Sequence, residues 1–228
     1  GSQLPIGTLR TDGKENIITA IEIAAAKRHN LPIVPEVCIY FENKLYRANR
    51  TTKQNSQHFN AFRSYNYPEL ATIGVDITYH DEFIHHEMSQ GTFEINTKLS
   101  TDVGILKIFP GLTKEYLCEY LHIKKLRALV IETFGSGNAT TGSWFIDCVK
   151  QATDRGMIIV NISQCVAGSV DMEKYETGIA MKKAGIVSGH DMTTEAALIK
   201  LMHLLGQHYS GEKIRELIEV PIAGELTV

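Results

Sequence analysis

Lys53 stands in the segment Tyr46-Arg47-Ala48-Asn49-Arg50-Thr51-Thr52-Lys53-Gln54-Asn55, where three cations sit among hydroxyls and amides after a hydrophobic, strand-like run. A loop lysine in open solvent is ordinary. A lysine buried in a cleft has a lowered pKa, and can then move protons and assist a hydroxyl nucleophile. A second candidate is Phe134-Gly135-Ser136-Gly137-Asn138-Ala139. Its glycines let the backbone turn tightly and approach a ligand closely. The Asn138 amide both donates and accepts hydrogen bonds, as an amide or amino-acid ligand requires. The same residues also suit a plain strand-to-helix turn.

Other chemistries fit the residues less well. A dinucleotide fingerprint needs glycine at position 140, where Thr140 stands, and the next strand ends in Asn161-Ile162-Ser163 rather than an acidic ribose ligand. His85-His86-Glu87 resembles part of a zinc-protease motif, but the second histidine is replaced by Gln90. With no paired cysteines and no spaced carboxylate–histidine cluster, no metal site and no cofactor are expected. A GxSxG elbow is missing, so a Ser-His-Asp hydrolase is unsupported.

The elements that must carry these loops follow from periodicity. Ile17, Ile18, Ile21, Ala24 and Ala25 keep helical spacing from Glu15 to His29, and Asn30-Leu31-Pro32 stops that helix. Val37 to Phe41 and Lys44 to Ala48 form a hairpin around Glu42-Asn43. A short helix near Ser56 to Phe62 and a strand at Val75 to Tyr79 follow. Residues 81–101 are polar and lack a sustained apolar period, which marks a linker holding at most a short strand. Beyond them strands at 103–109, 128–133, 157–162 and 186–188 alternate with helices at 113–123, 143–154, 172–183 and 193–205, and a last helical piece spans 213–218. Such alternation gives a parallel sheet covered on both faces, with ligands in the loops at the carboxyl ends of its strands.

The 228 residues are enough for one large domain or two modest ones. A net charge of -3 gives no electrostatic case for nucleic acid or an anionic membrane, and neither is expected as a partner. The basic run Lys124-Lys125-Leu126-Arg127 reads as a solvated helix end before a strand. Cys38, Cys118, Cys148 and Cys165 are widely spaced in apolar or mixed surroundings, so reduced, mostly buried thiols in a cytoplasmic protein are expected. No apolar run reaches the length of a membrane span.

In order along the chain, Gln3-Leu4-Pro5, Arg10-Thr11-Asp12-Gly13, Tyr46 to Lys53, Gly135 to Ala139 and Ala184-Gly185-Ile186-Val187-Ser188-Gly189 resemble the asparaginase family, and within it the cytoplasmic type I branch. The resemblance implies an α/β fold: the remainder of an N-terminal α/β domain with a mixed sheet (1–80), the linker (81–101), and a smaller C-terminal Rossmann-like domain with a parallel sheet (102–228). It implies hydrolysis of L-asparagine to L-aspartate and ammonia through a threonine acyl-enzyme, in homodimers or homotetramers. Lys53 matches the relay lysine, and Asn138 the asparagine offered to the neighbouring subunit's substrate. Ser2 matches a residue at the pocket floor, although Gly1-Ser2 reads as native or as an appended dipeptide. The nucleophile has no counterpart here, which implies that the chain begins partway into the usual enzyme and is inert without that segment, a separate chain being one possible source.

Cys165 and Thr194 match a second, activating asparagine site of type I enzymes. An arginine found there in bacterial members is replaced by Glu132, which opposes recognition of a carboxylate unless another cation compensates. Weak or absent activation is expected. Two competing readings are an amidotransferase subunit that releases ammonia for tRNA-dependent amidation, and an amino-acid-binding module without catalysis.

Overall fold

Helical spacing after Asp12 becomes α1 (Gly13–Ala25) in the computed structural model, which describes residues 1–86, 95–140 and 142–228. The chain divides into two units, Gly1–Glu94 and Ile95–Val228. In the first, α1 ends earlier than its apolar period suggests. β1 (Lys27–Arg28) and β2 (Leu31–Pro32) pair antiparallel around His29 and Asn30, whose φ angles are 53° and 65°. Pro32 disfavours a helical Leu31, so the chain folds back instead of extending the helix. The stripe that defines the helix faces out: Ile17, Ile18 and Ile21 are 53%, 55% and 63% exposed, while Ile23 is buried.

The expected hairpin forms as β3 (Cys38–Phe41) and β4 (Lys44–Arg47), with Tyr40 opposite Leu45. Glu42 and Asn43 take the two positive φ angles of 48° and 61° that a tight hairpin turn requires. β5 (Thr52–Lys53) pairs with β6 (Phe62–Arg63) as a separate ribbon. β7 (Ala71–Ile73) and β8 (Ile77–Tyr79) complete an antiparallel sheet in the order β3-β4-β7-β8. The helix expected near Ser56 to Phe62 is absent. Asn55 Oδ1 accepts from the Gln57 and His58 amides at 2.8 and 3.0 Å, and a side chain that captures those donors locally competes with a helix. Leu70 and Ala71, both fully buried, anchor the small core of this unit with Tyr40 and Leu45. The linker expectation falls partly on residues 87–94, outside the described residues, as do Glu87 and Gln90 of the histidine segment. No strand occurs among the described residues of 81–101.

The second unit follows the alternation closely. Its strands are β9 (Val103–Lys107), β10 (Ala128–Thr133), β11 (Ile158–Ser163) and β12 (Val187–Ser188), all parallel, in the order β12-β11-β10-β9. Between and after them come α2 (Lys114–Leu121), α3 (Ser143–Asp154), α4 (Glu176–Lys183), α5 (Thr194–Gly206) and α6 (Gly211–Ile218). Side chains alternate across the sheet. Leu129, Ile131 and Ile159 meet Leu117, Phe145 and Met181 on one face. Ala128, Val130 and Val160 meet Leu201, Leu204 and Ile218 on the other. Each such fully buried large side chain contributes about 1.5–3 kcal/mol. That two-sided burial holds the carboxyl ends of β10 and β11 in fixed register.

The expectation of four reduced, mostly buried thiols is corrected. Cys118 of α2 and Cys148 of α3 form a disulfide with Cα atoms 5.7 Å apart, and the two free cysteines are the half-buried Cys38 and the exposed Cys165. The partners lie 30 residues apart in sequence and meet because both helices pack on one face of the sheet. No helix of the described residues is long and apolar enough to cross a membrane.

Candidate functional site

In the first unit the residues around Ser2 and Lys53 are joined by a loop-to-loop network. Asp12, just before α1, makes no side-chain cap to that helix. Its carboxylate instead accepts from the Gln3 amide at 2.9 and 3.0 Å, the Leu4 amide at 3.1 Å and the Asn16 side chain at 3.1 Å. Burial pushes the Asp12 carboxyl up, but these bonds outweigh it and hold it below the ordinary carboxylate value. Ser2 is exposed, and its hydroxyl lies beside the start of α1, where a Cβ on Gly13 would come within 3.3 Å of it. Gln3 Nε2 donates to the Ser56 carbonyl, tying this loop to the turn that follows Lys53. Sequence reasoning left Asp12 without a role, although an acid directly ahead of a helical period is a visible signal.

The three cations of the Tyr46–Asn55 segment separate into two kinds. Arg47 donates to Glu36 through Nε and through Nη2, the latter at 3.0 Å, and both side chains are buried. Its guanidinium lies 4.3 Å from the Tyr67 ring centroid, and Arg50 lies 5.1 Å from the same ring. Arg50 Nη2 also donates to the Asn66 carbonyl at 3.0 Å. Thr51 Oγ1 donates to the Arg47 carbonyl at 2.7 Å, so that hydroxyl serves the backbone. These groups form a buried clamp that fixes the start of β5.

Lys53 is different. It is exposed, its ammonium 5.8 Å from the Phe62 ring centroid. The expectation of a buried lysine is therefore corrected for this chain. The reason is architectural: β5 and β6 form a two-stranded ribbon outside the main sheet. Phe62 meets Phe41 at 5.1 Å in a tilted pair, and a Cβ on Gly1 would lie 3.5 Å from the Phe41 ring, so two aromatic rings lie between Lys53 and the start of the chain.

In the second unit the Phe134–Ala139 loop is built from below. Phe134 and Asn138 exchange two backbone hydrogen bonds of 2.8 Å. Ser163 Oγ donates to the Gly135 carbonyl at 2.6 Å, and the Asp171 amide to the Ser136 carbonyl at 2.9 Å. Beneath them Thr133 Oγ1 donates to Asn161 Oδ1 at 2.6 Å, and Asn161 Nδ2 donates to the Gly137 carbonyl at 3.2 Å. Thr133 and Asn161 are both fully buried. A satisfied buried network of this kind rigidifies what rests on it. Asn138 Oδ1 accepts from Thr177 Oγ1 at 2.8 Å. No hydrogen bond from its Nδ2 occurs among the described residues, so its donor side stays available to a ligand carbonyl or carboxylate. Thr133, Asn161 and Thr177 went unassigned in the sequence; polar residues ending two otherwise apolar strands were the signal.

The second group proposed at positions 132, 165 and 194 is partly assembled. Thr194, the first residue of α5, donates from Oγ1 to Glu132 Oε1 at 2.7 Å, and Lys107 Nζ lies 3.7 Å from Glu132 Oε2. A carboxylate at a helix N-terminus is favourable. Lys107 thus pairs with Glu132 itself, a contact between residues 25 apart that nothing in the local sequence pattern announces. Cys165 is exposed just beyond β11, and no hydrogen bond ties its thiol to Glu132 or Thr194 among the described residues.

Comparisons with known proteins place both units. Residues 1–85 match the model described as Asparaginase, N-terminal, and residues 102–218 that of the Glutaminase/Asparaginase C-terminal domain. L-asparaginase 1 of Escherichia coli K12 is 38% identical over 228 residues, which cover 100% of this chain and 65% of that protein. The 60 kDa lysophospholipase of Mus musculus is 39% identical over 229 residues, covering 100% of this chain but 39% of that protein. The crystal structure of L-asparaginase I from Vibrio cholerae superposes with a TM-score of 0.92 at 38% identity, covering 100% of this chain and 67% of that one.

Proposed function

Because both of its units match asparaginase models, this chain belongs to the glutaminase/asparaginase family, and we propose that it is part of an L-asparaginase of type I, hydrolysing L-asparagine to L-aspartate and ammonia. The observation that carries the reading is the match along the whole of this chain to part of the L-asparaginases; the roles of Lys53 and Asn138 come from the motif resemblance. In this reading a threonine hydroxyl attacks the side-chain amide carbon, and the leaving nitrogen takes a proton and departs as ammonia. Water then cleaves the ester and frees aspartate. Lys53 relays the proton. Asn138 donates from Nδ2 to the substrate held by a neighbouring subunit of a homodimer or homotetramer.

This reading assigns the attacking hydroxyl to none of these 228 residues. Thr51 is an unsuitable replacement, since its hydroxyl is already given to the Arg47 carbonyl. An exposed Lys53 gains the dry surroundings that a relay needs only when another segment or subunit covers it. The chain spans 65% of the Escherichia coli enzyme and 39% of the mouse protein, so the activity, substrates and partners of the whole protein belong to this proposal. At the Glu132 group Lys107 neutralises Glu132 instead of leaving a cation free for a carboxylate, which supports weak activation by asparagine. A sigmoidal velocity curve from the complete enzyme would contradict that. Cytoplasmic placement rests on the family resemblance, and the Cys118–Cys148 disulfide weighs against it.

Ammonia release from L-asparagine tests the proposal. The chain alone should release none, and adding the segment that supplies the threonine should restore release. In the restored enzyme Lys53→Ala should lower kcat by roughly 10²–10⁴-fold. Restored activity that is indifferent to Lys53→Ala and Asn138→Ala would remove both residues from the site. Calorimetry with asparagine and aspartate would expose a binding module that never turns over.

A further inference from the structure

At the end of the parallel sheet where β10 and β11 begin, opposite the Asn138 loop, the second unit holds a cavity of roughly 370 Å³. Lys124, Arg127 and Arg155 line it, and no aspartate or glutamate does. Arg127 and Lys124 make no ion pair among the described residues. Arg155 gives one Nη2 bond to the Leu121 carbonyl at 3.2 Å and keeps its other donors. Gly211, the first residue of α6, lines the same cavity, so the partial positive charge of that helix end adds to the field. Beside the cations lie Ile123 and Tyr209, apolar surfaces left 50% and 45% exposed.

The walls are held independently of any ligand. α2 and α3 are joined by the Cys118–Cys148 disulfide, and the Arg155–Leu121 bond closes their far ends together. A preformed site loses less entropy when it is filled. Arginine forks match the oxygens of a phosphate two at a time, and three cations exceed what a single carboxylate would neutralise.

We propose that this cavity binds a small phosphate monoester carrying an aromatic or aliphatic group, with Arg127, Arg155 and Lys124 on the phosphate and Ile123 and Tyr209 against the apolar part. The basic run at 124–127, which looked like a solvated helix end, becomes one wall of this site. The inference is independent of amide hydrolysis, which belongs to the opposite end of the sheet.

Calorimetric titration of the full chain with phenyl phosphate, inorganic phosphate and benzoate tests it. Phenyl phosphate should bind saturably and about tenfold or more tighter than either of the others, since each lacks one half of the recognised chemistry. The double variant Lys124→Gln/Arg127→Gln should weaken phenyl phosphate by about tenfold or more while leaving the melting temperature unchanged, because both side chains are exposed. Absent saturable binding, equal binding of benzoate, or undiminished binding by a folded double variant would each overturn the proposal.

Discussion

At Gly137 the backbone takes φ +110°, and a Cβ there would come within 2.8 Å of Val170 Cγ1. Gly137→Ala should therefore destabilise the second unit by about 1–3 kcal/mol, read from urea unfolding, and should loosen the neighbouring Asn138. A sharper contrast lies in the Tyr46–Asn55 segment. Arg47→Ala would leave Glu36 buried without its cation, at a cost of about 3–5 kcal/mol. Lys53→Ala should shift stability by less than about 0.5 kcal/mol, because the side chain is exposed. Equal losses from the two variants would mean that Lys53 serves the same clamp as the arginines. The sequence shows three cations of one kind; burial gives two of them to structure and leaves the third exposed.

Helices and strands carry their own tests. With α2 and α3 joined through Cys118 and Cys148, the unreduced denatured chain should present two reactive thiols of its four cysteines, Cys38 and Cys165. Four thiols by mass-shift labelling would return the protein to the reduced state that its cysteine spacing suggested. In the folded chain Cys165 should label first, since burial pushes the Cys38 thiol up to about 12. Near the end of the chain, Lys200 of α5 meets Glu225 at 2.5 Å with both side chains buried, and also donates to the Ile218 and Val220 carbonyls. Lys200→Met should cost about 3–5 kcal/mol by leaving Glu225 uncompensated, and should expose the C-terminal segment to hydrogen exchange.

Across the whole molecule the acid side of the stability profile should be set by a few carboxylates. Burial pushes Glu225 up, but Lys200 and the Ala223 and Ile222 amides hold it below its ordinary value. Glu69 is lowered first by its hydrogen bond to Lys44, and Asp12 by the Gln3 and Leu4 amides against its own burial. A depressed carboxyl stabilises the fold fully above its unfolded pKa, and the contribution is lost as pH falls through the folded value. Melting temperature should thus stay level from neutral pH to about 5 and fall below about 4.5. A profile flat down to pH 3 would contradict these three contacts. The order of strands and helices beyond residue 102, the Glu42-Asn43 hairpin and the family motifs were all legible in the chain, because periodicity and turn sterics act between near neighbours. Burial and pairing depend on what folds against a residue from far along the chain. Tertiary structure alone therefore decided that α1 shows Ile17, Ile18 and Ile21 to solvent, that Cys118 finds Cys148, that Lys107 and Thr194 converge on Glu132, and that Lys53 stands in the open.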